Sequence, residues 1–96
     1  MSKKPETLFK EKVFEDLKTI SNCWFEKIQQ VTIRGTPDVL CCVNGKFVAL
    51  ELKKDLKETP DPLQKYKLNK ISKAGGHSYT TCPEDWASVL KELRSI

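Results

Sequence analysis

Three observations predict an α/β fold with a central mixed sheet flanked by helices. Apolar residues recur at helical spacing in three segments, strand-like runs fall between them, and one Asn-Gly pair joins two of those runs. A chain of 96 residues has room for one modest core. A single domain, 1–96, is therefore expected, with element order α-β-β-β-α-β-α.

The first helix begins at Pro5 and carries Phe9, Val13, Leu17 and Ile20 on one stripe, fading at the turn signal Ser21-Asn22. "CWFEKIQQVTI", Cys23 to Ile33, alternates imperfectly and predicts a strand. Arg34-Gly35-Thr36-Pro37 breaks the pattern. Two apolar runs then flank Asn44-Gly45, the strongest short-range hairpin signal, because a type I′ turn needs positive φ at both central positions. "KETPDP", Lys57 to Pro62, predicts a loop. Leu63 to Ala74 predicts a helix with Leu68 and Ile71 inward, stopped by Gly75-Gly76. "HSYTT", His77 to Thr81, is a short strand, and Pro83 opens a closing helix that runs to Ile96.

Composition narrows the class. With 39% hydrophobic and 31% charged residues the chain resembles an ordinary soluble protein. Its longest apolar run is too short to span a bilayer, and no signal peptide precedes the first helical pattern. An intracellular protein without a membrane partner is expected. Cys23, Cys41, Cys42 and Cys82 form no C-x-x-C pair, and lone His77 cannot complete a zinc site. They are expected to be buried free thiols acting as small apolar residues. Residues 44–76 hold eight lysines against four acids and account for the whole net charge of +4. Such an excess suits a polyanion, solvated helix faces being the alternative.

The hairpin raises a question of charge. If Asn44 and Gly45 form a two-residue loop, Cys42 faces Phe47, Leu40 faces Ala49, and Asp38 faces Glu51. Side chains alternate with period two, so Asp38, Leu40 and Cys42 share a face with Phe47, Ala49, Glu51 and Lys53. Two carboxylates thus converge, with an ammonium one step along. Opposed like charges are destabilising and call for a cation. A hard divalent ion with oxygen ligands, Mg²⁺ or Mn²⁺, satisfies both acids. The alternative is a solvent-facing end of the hairpin, where the acids are screened and Lys53 merely pairs them. On the first helix, Glu6 lies about 20° from both Val13 and Leu17 and shares their stripe, whereas Glu11 and Glu15 face away. Glu6 is accordingly a candidate third acid, its other role being to complement the helix dipole.

"GTPD" (Gly35 to Asp38), "ELK" (Glu51 to Lys53), "LQKYKL" (Leu63 to Leu68) and "AGG" (Ala74 to Gly76), in this order, resemble the PD-(D/E)XK nucleases. The likeness is to the VRR-NUC branch, including small stand-alone forms of phages and prophages, and it covers nearly the whole chain. It implies a restriction-endonuclease-like core. It also implies that Asp38 and Glu51 bind the metal, with the Leu52 backbone carbonyl as a further ligand and Glu6, or nearby Glu11, as the helix acid. Lys53 would orient or deprotonate the attacking water or stabilise developing charge, and Gln64 would sit near the metal and the attacked phosphate. The implied cofactor is Mg²⁺ or Mn²⁺, one ion or two, with no small-molecule cofactor.

The activity implied is metal-dependent hydrolysis of DNA phosphodiester bonds, selective for structure. Related forms are similar to Holliday-junction resolvases, which implies branched DNA as the partner and a symmetric homodimer. An intracellular site, in a bacterial host where phage-encoded, follows. Lys67, Lys70 and Lys73 on the glutamine helix, Lys54 just before it, and Lys27 and Arg34 are candidate DNA contacts. Tyr66 packs on the sheet or stacks on a base, and Trp24 and Trp86 belong to the core or an interface. Two rival readings remain: a branched-DNA-binding module that does not cut, and an interaction domain of a phage or replication complex.

Overall fold

The computed structural model describes residues 3–29 and 34–96. Seven elements follow the predicted order: α1 (Pro5–Leu17), β1 (Cys23–Lys27), β2 (Val39–Val43), β3 (Lys46–Leu52), α2 (Pro62–Lys73), β4 (His77–Thr81) and α3 (Trp86–Ser95). The strands form one sheet in the order β1-β2-β3-β4. The β1–β2 and β2–β3 pairs are antiparallel and β3–β4 is parallel. Among the described residues, no helix is long and apolar enough to cross a membrane.

The hairpin register is the predicted one. Val43 pairs with Lys46, Cys42 with Phe47, Leu40 with Ala49 and Val39 with Leu50. Asn44 and Gly45 take φ of 50° and 81°, so both central residues of the turn are left-handed. Period-two alternation then divides the hairpin between two layers. Val39, Cys41, Val43, Val48 and Leu50 join Phe9, Val13 and Leu17 of α1 and Trp86, Val89 and Leu93 of α3 in the core. The Trp86 indole N–H donates to Asp16 Oδ2 at 2.8 Å and ties α3 to α1. Burial alone would raise the Asp16 carboxyl, but the Trp86 donor and the Lys12 ammonium outweigh it and hold it below the ordinary value.

The opposite sheet face is covered only in part. α2 packs there against β4, where Ser78 Oγ donates to the Leu68 carbonyl at 3.1 Å. Ala49 on β3 is fully buried. Over β1 and β2 the cover runs out. Trp24, Cys42 and Phe47 form a cross-strand row in which Trp24 is 60% and Phe47 46% exposed. One expectation is narrowed there and one corrected. Of the two places open to Trp24, core or interface, its exposure removes the core, where Trp86 lies, and Cys42 is an exposed thiol while Cys41 and Cys82 are buried and Cys23 is half-buried. Alternation assigned these side chains to a face, and the reach of α2 decides which part of that face is covered. All four cysteines are free.

Element ends differ from expectation for local reasons. The first strand stops at Lys27. Ile28 N–H still donates to the Asp38 carbonyl at 2.9 Å, a rung just beyond the strand's end and next to Pro37. The rest of the predicted strand, 30–33, lies outside the described residues. α3 begins at Trp86 and not at Pro83, because the Asp85 carboxylate accepts from Thr81 Oγ1 at 2.6 Å and from Cys82 N–H at 2.9 Å. The chain makes a turn there before it becomes helical.

Candidate active site

Asp38 and Glu51 stand one step outward from the Val39–Leu50 pair, where β2 and β3 begin to part. Asp38 is held from two sides. Its carbonyl accepts from Ile28 N–H, and its Oδ2 accepts from the Leu52 N–H at 2.8 Å. The loop before it fits closely against α2. Gly35 has φ of +83°, and a Cβ there would lie 2.8 Å from Leu63 Cγ and 3.1 Å from the Leu63 carbonyl oxygen. A side chain at this position would push against the first turn of α2, whose next residue is Gln64.

Glu51 is 3% exposed and is the charged centre of the site. Its Oε2 accepts from Gln64 Nε2 at 2.7 Å and lies 3.3 Å from Lys53 Nζ, whose side chain is itself 13% exposed. Lys53 Nζ donates in turn to Gln64 Oε1 at 3.0 Å. Glu51, Lys53 and Gln64 therefore form a closed triangle of contacts. Glu51 Oε1, however, is buried without a hydrogen-bond partner among the described residues. Burial, with the Asp38 charge added, pushes the Glu51 carboxyl from 4.5 up to about 7, against the opposing pull of Lys53. A buried carboxylate oxygen without a partner is costly, and a cation or a ligand group beside it would satisfy it.

α2 positions Gln64 through its own N-terminus. Asp61 is the N-cap: its Oδ1 accepts from Gln64 N–H at 2.9 Å, and Gln64 Oε1 accepts from Asp61 N–H at 3.0 Å. This capping box was legible as Asp-x-x-Gln ahead of an apolar residue, but the sequence reading placed Asp61 in a loop. It is the functional neighbour that reading missed.

The remaining candidates lie outside this cluster. Glu6 is exposed in the first turn of α1 and does not join Asp38 and Glu51: no group of three or more His, Cys, Asp and Glu able to hold a metal occurs among the described residues. Glu11 is also exposed, in an ion pair with Lys3 at 2.6 Å. Lys27, Arg34, Lys54, Lys70 and Lys73 are exposed and Lys67 is half-buried. Lys70 Nζ sits 5.8 Å above the Tyr66 ring, and Tyr66 is 58% exposed, so it does not pack into the sheet. A cleft of about 200 Å³ opens beside Lys53, bounded by Leu56, Thr80 and Asp85. Another, of about 320 Å³, lies at the other end of the strands by Ile20, Asn44 and Arg94, and no Asp or Glu lines it.

The donors at the Asp38 end are carboxylate oxygens, one of them orphaned, beside a backbone segment that carries the Leu52 carbonyl. This set suits a hard divalent cation such as Mg²⁺ or Mn²⁺. No protein-family model and no curated protein matches the sequence. One solved structure, a VRR_NUC domain, superimposes with a TM-score of 0.80 at 22% sequence identity, covering 94% of this chain and 97% of its own. The chain thus has the restriction-endonuclease-like fold of a VRR-NUC domain.

Proposed function

We propose that this protein is a Mg²⁺- or Mn²⁺-dependent DNA endonuclease that cuts branched DNA, four-way junctions among its substrates. The observation that supports it best is the buried Glu51 carboxylate. It lies beside Asp38 and Lys53, with one oxygen bonded to Gln64 and the other without a hydrogen-bond partner among the described residues. A binding module has no need of opposed acids next to a polyanion, which repel it.

Asp38 and Glu51, with the Leu52 carbonyl, would hold the metal, and Glu6 is a candidate outer acid. When bound, the ion supplies an activated water and neutralises charge on the attacked phosphate. Lys53 holds its ammonium at the mouth of the site, where it orients the water or meets charge developing on the phosphate. Gln64 holds Glu51 in place and positions Lys53 through Oε1. Lys54, Lys70, Lys73, Lys27 and Arg34, with Lys67 at the half-buried edge, take the DNA backbone by neutralising phosphates. The protein works as an intracellular homodimer, in a bacterial host where a phage encodes it. The exposed apolar row of Trp24, Cys42 and Phe47 supports the dimer.

The test compares wild type with Asp38→Asn and Glu51→Gln on linear, nicked, flapped and four-way-junction DNA, each with Mg²⁺, Mn²⁺, Ca²⁺ or chelator. Cutting of the junction by wild type with Mg²⁺ or Mn²⁺ alone, and by neither variant, is expected. Wild type that cuts nothing while both variants bind DNA as it does would sink the nuclease reading.

A further inference from the structure

Gln64 is shared between two structures, the helix cap and the site. Its Oε1 accepts from the Asp61 N–H and from Lys53 Nζ, each at 3.0 Å, while its Nε2 donates to Glu51 Oε2 at 2.7 Å. A backbone N–H and an ammonium can only donate, so both need the amide oxygen, and the NH₂ is left to face Glu51 Oε2. One orientation of the amide therefore satisfies all three neighbours. Turned over, it would set its NH₂ against two donors and its oxygen against the carboxylate. The Asp61 carboxylate holds the same residue by its backbone N–H at 2.9 Å, so Asp61 grips Gln64 at both ends.

We propose that Asp61 is a positioning residue of the site. Its backbone N–H favours the amide orientation that turns the Gln64 donor toward Glu51 and the acceptor toward Lys53, and its carboxylate, by accepting the Gln64 N–H, holds that backbone N–H and the amide in register. Asp61 is exposed and has no bond to Glu51 or Lys53, so it acts only through Gln64. In an ordinary capping box the N3 side chain reaches back to the cap alone, and its loss costs helix stability. Here the same side chain carries the two contacts that hold the buried acid and the ammonium, and losing the cap loosens both. The consequence for cleavage rests on the nuclease reading above; the side-chain geometry does not.

The experiment places Asp61→Ala and Asp61→Asn in the wild-type and Gln64→Ala backgrounds. It reads melting temperature, cleavage rate against Mg²⁺ concentration, and the Gln64 side-chain amide signals by ¹⁵N NMR without metal. Partners that orient a site residue are worth about tenfold or more in activity, so Asp61→Ala is expected to slow cleavage about tenfold. Asp61→Asn, which keeps an acceptor for the Gln64 N–H, restores most of the rate. In the Gln64→Ala background Asp61→Ala lowers the melting temperature again but leaves cleavage unchanged. The Gln64 amide pair, displaced and slow to exchange in wild type, moves toward the position of free glutamine in Asp61→Ala. Equal slowing in both backgrounds, or an amide signal indifferent to Asp61, overturns the proposal. Wild type that cleaves no DNA but shows the amide dependence refutes the nuclease reading and supports the positioning role.

Discussion

Asp38 and Leu52 are joined across the open end of the hairpin, the Asp38 carboxylate accepting the Leu52 N–H at 2.8 Å. One side chain therefore both closes the strand pair and presents charge to the site. Substitution can separate the two roles. Asp38→Asn keeps an oxygen for that N–H and should change stability by less than about 1 kcal/mol. Removing the charge should slow cleavage at least a hundredfold, or about 3 kcal/mol of barrier. Asp38→Ala strands a part-buried N–H and should cost about 1–3 kcal/mol as well. Urea unfolding beside cleavage assays checks this, and equal destabilisation by Asn and Ala would contradict it.

The raised Glu51 carboxyl makes metal-free stability depend on pH with a definite sign. The folded state holds this proton up to about pH 7, whereas a free glutamate releases it near 4.5. The folded chain thus binds more protons between those values, and stability falls as pH rises. The contribution is complete below about 4.5 and gone above about 7, and amounts to about 3 kcal/mol at most. Thermal melts at pH 5 and pH 8 should show the loss in wild type but not in Glu51→Gln. Saturating Mg²⁺ should reduce it, since a bound cation favours the ionised acid.

Thiol reactivity should sort the four cysteines by their place on the sheet. Cys42 is exposed and should be alkylated fast in the native protein, with Cys23 slower. Cys41 is buried, and its thiol is pushed up to about 12, chiefly by burial, while Cys82 is buried and raised for the same first reason. Both should react only on unfolding. Mass spectrometry after timed iodoacetamide treatment reads the order, and early modification of Cys41 would show that the α1–α3 side of the sheet opens.

Gly35→Ala should disturb the site from a distance. The substitution adds a methyl 2.8 Å from Leu63 Cγ at a φ of +83°. Backbone strain alone is worth about 1–2 kcal/mol. Relief by a shift of Leu63 should move Gln64 with it, visible as a change in the Gln64 side-chain amide signals. A folded variant with wild-type stability and unchanged amide signals would show that the close approach carries no such coupling.

Much of the fold was legible because its signals are local. The Asn44-Gly45 turn set the pairing of two strands, and with it the convergence of Asp38 and Glu51, by counting outward from the loop. What escaped depends on extents that periodicity does not carry. A helical wheel put Glu6 on the stripe of Val13 and Leu17 but could not say that this stripe is exposed by the first turn. Alternation put Trp24 and Cys42 on one face but could not say that α2 leaves that part of the sheet bare. Asp61 was written plainly as an Asp-x-x-Gln cap, and the surrounding prolines masked it as loop. The link from Gln64 to Glu51 spans 13 residues and two elements, so no local pattern reports its bond.

The parallel pairing of β3 with β4 has a consequence for where chemistry can arise on this chain. Two parallel neighbours need a crossover, and α2 is that crossover, so it must start above the carboxyl end of β3. β2, antiparallel to β3, begins at that same end. Three chain segments are thereby delivered to one crevice by topology alone, whatever residues they carry. Asp38 enters with the first, Glu51 and Lys53 with the second, and Gln64 with the third. The crevice is inherited from the winding of the sheet, and only its furnishing belongs to these four side chains.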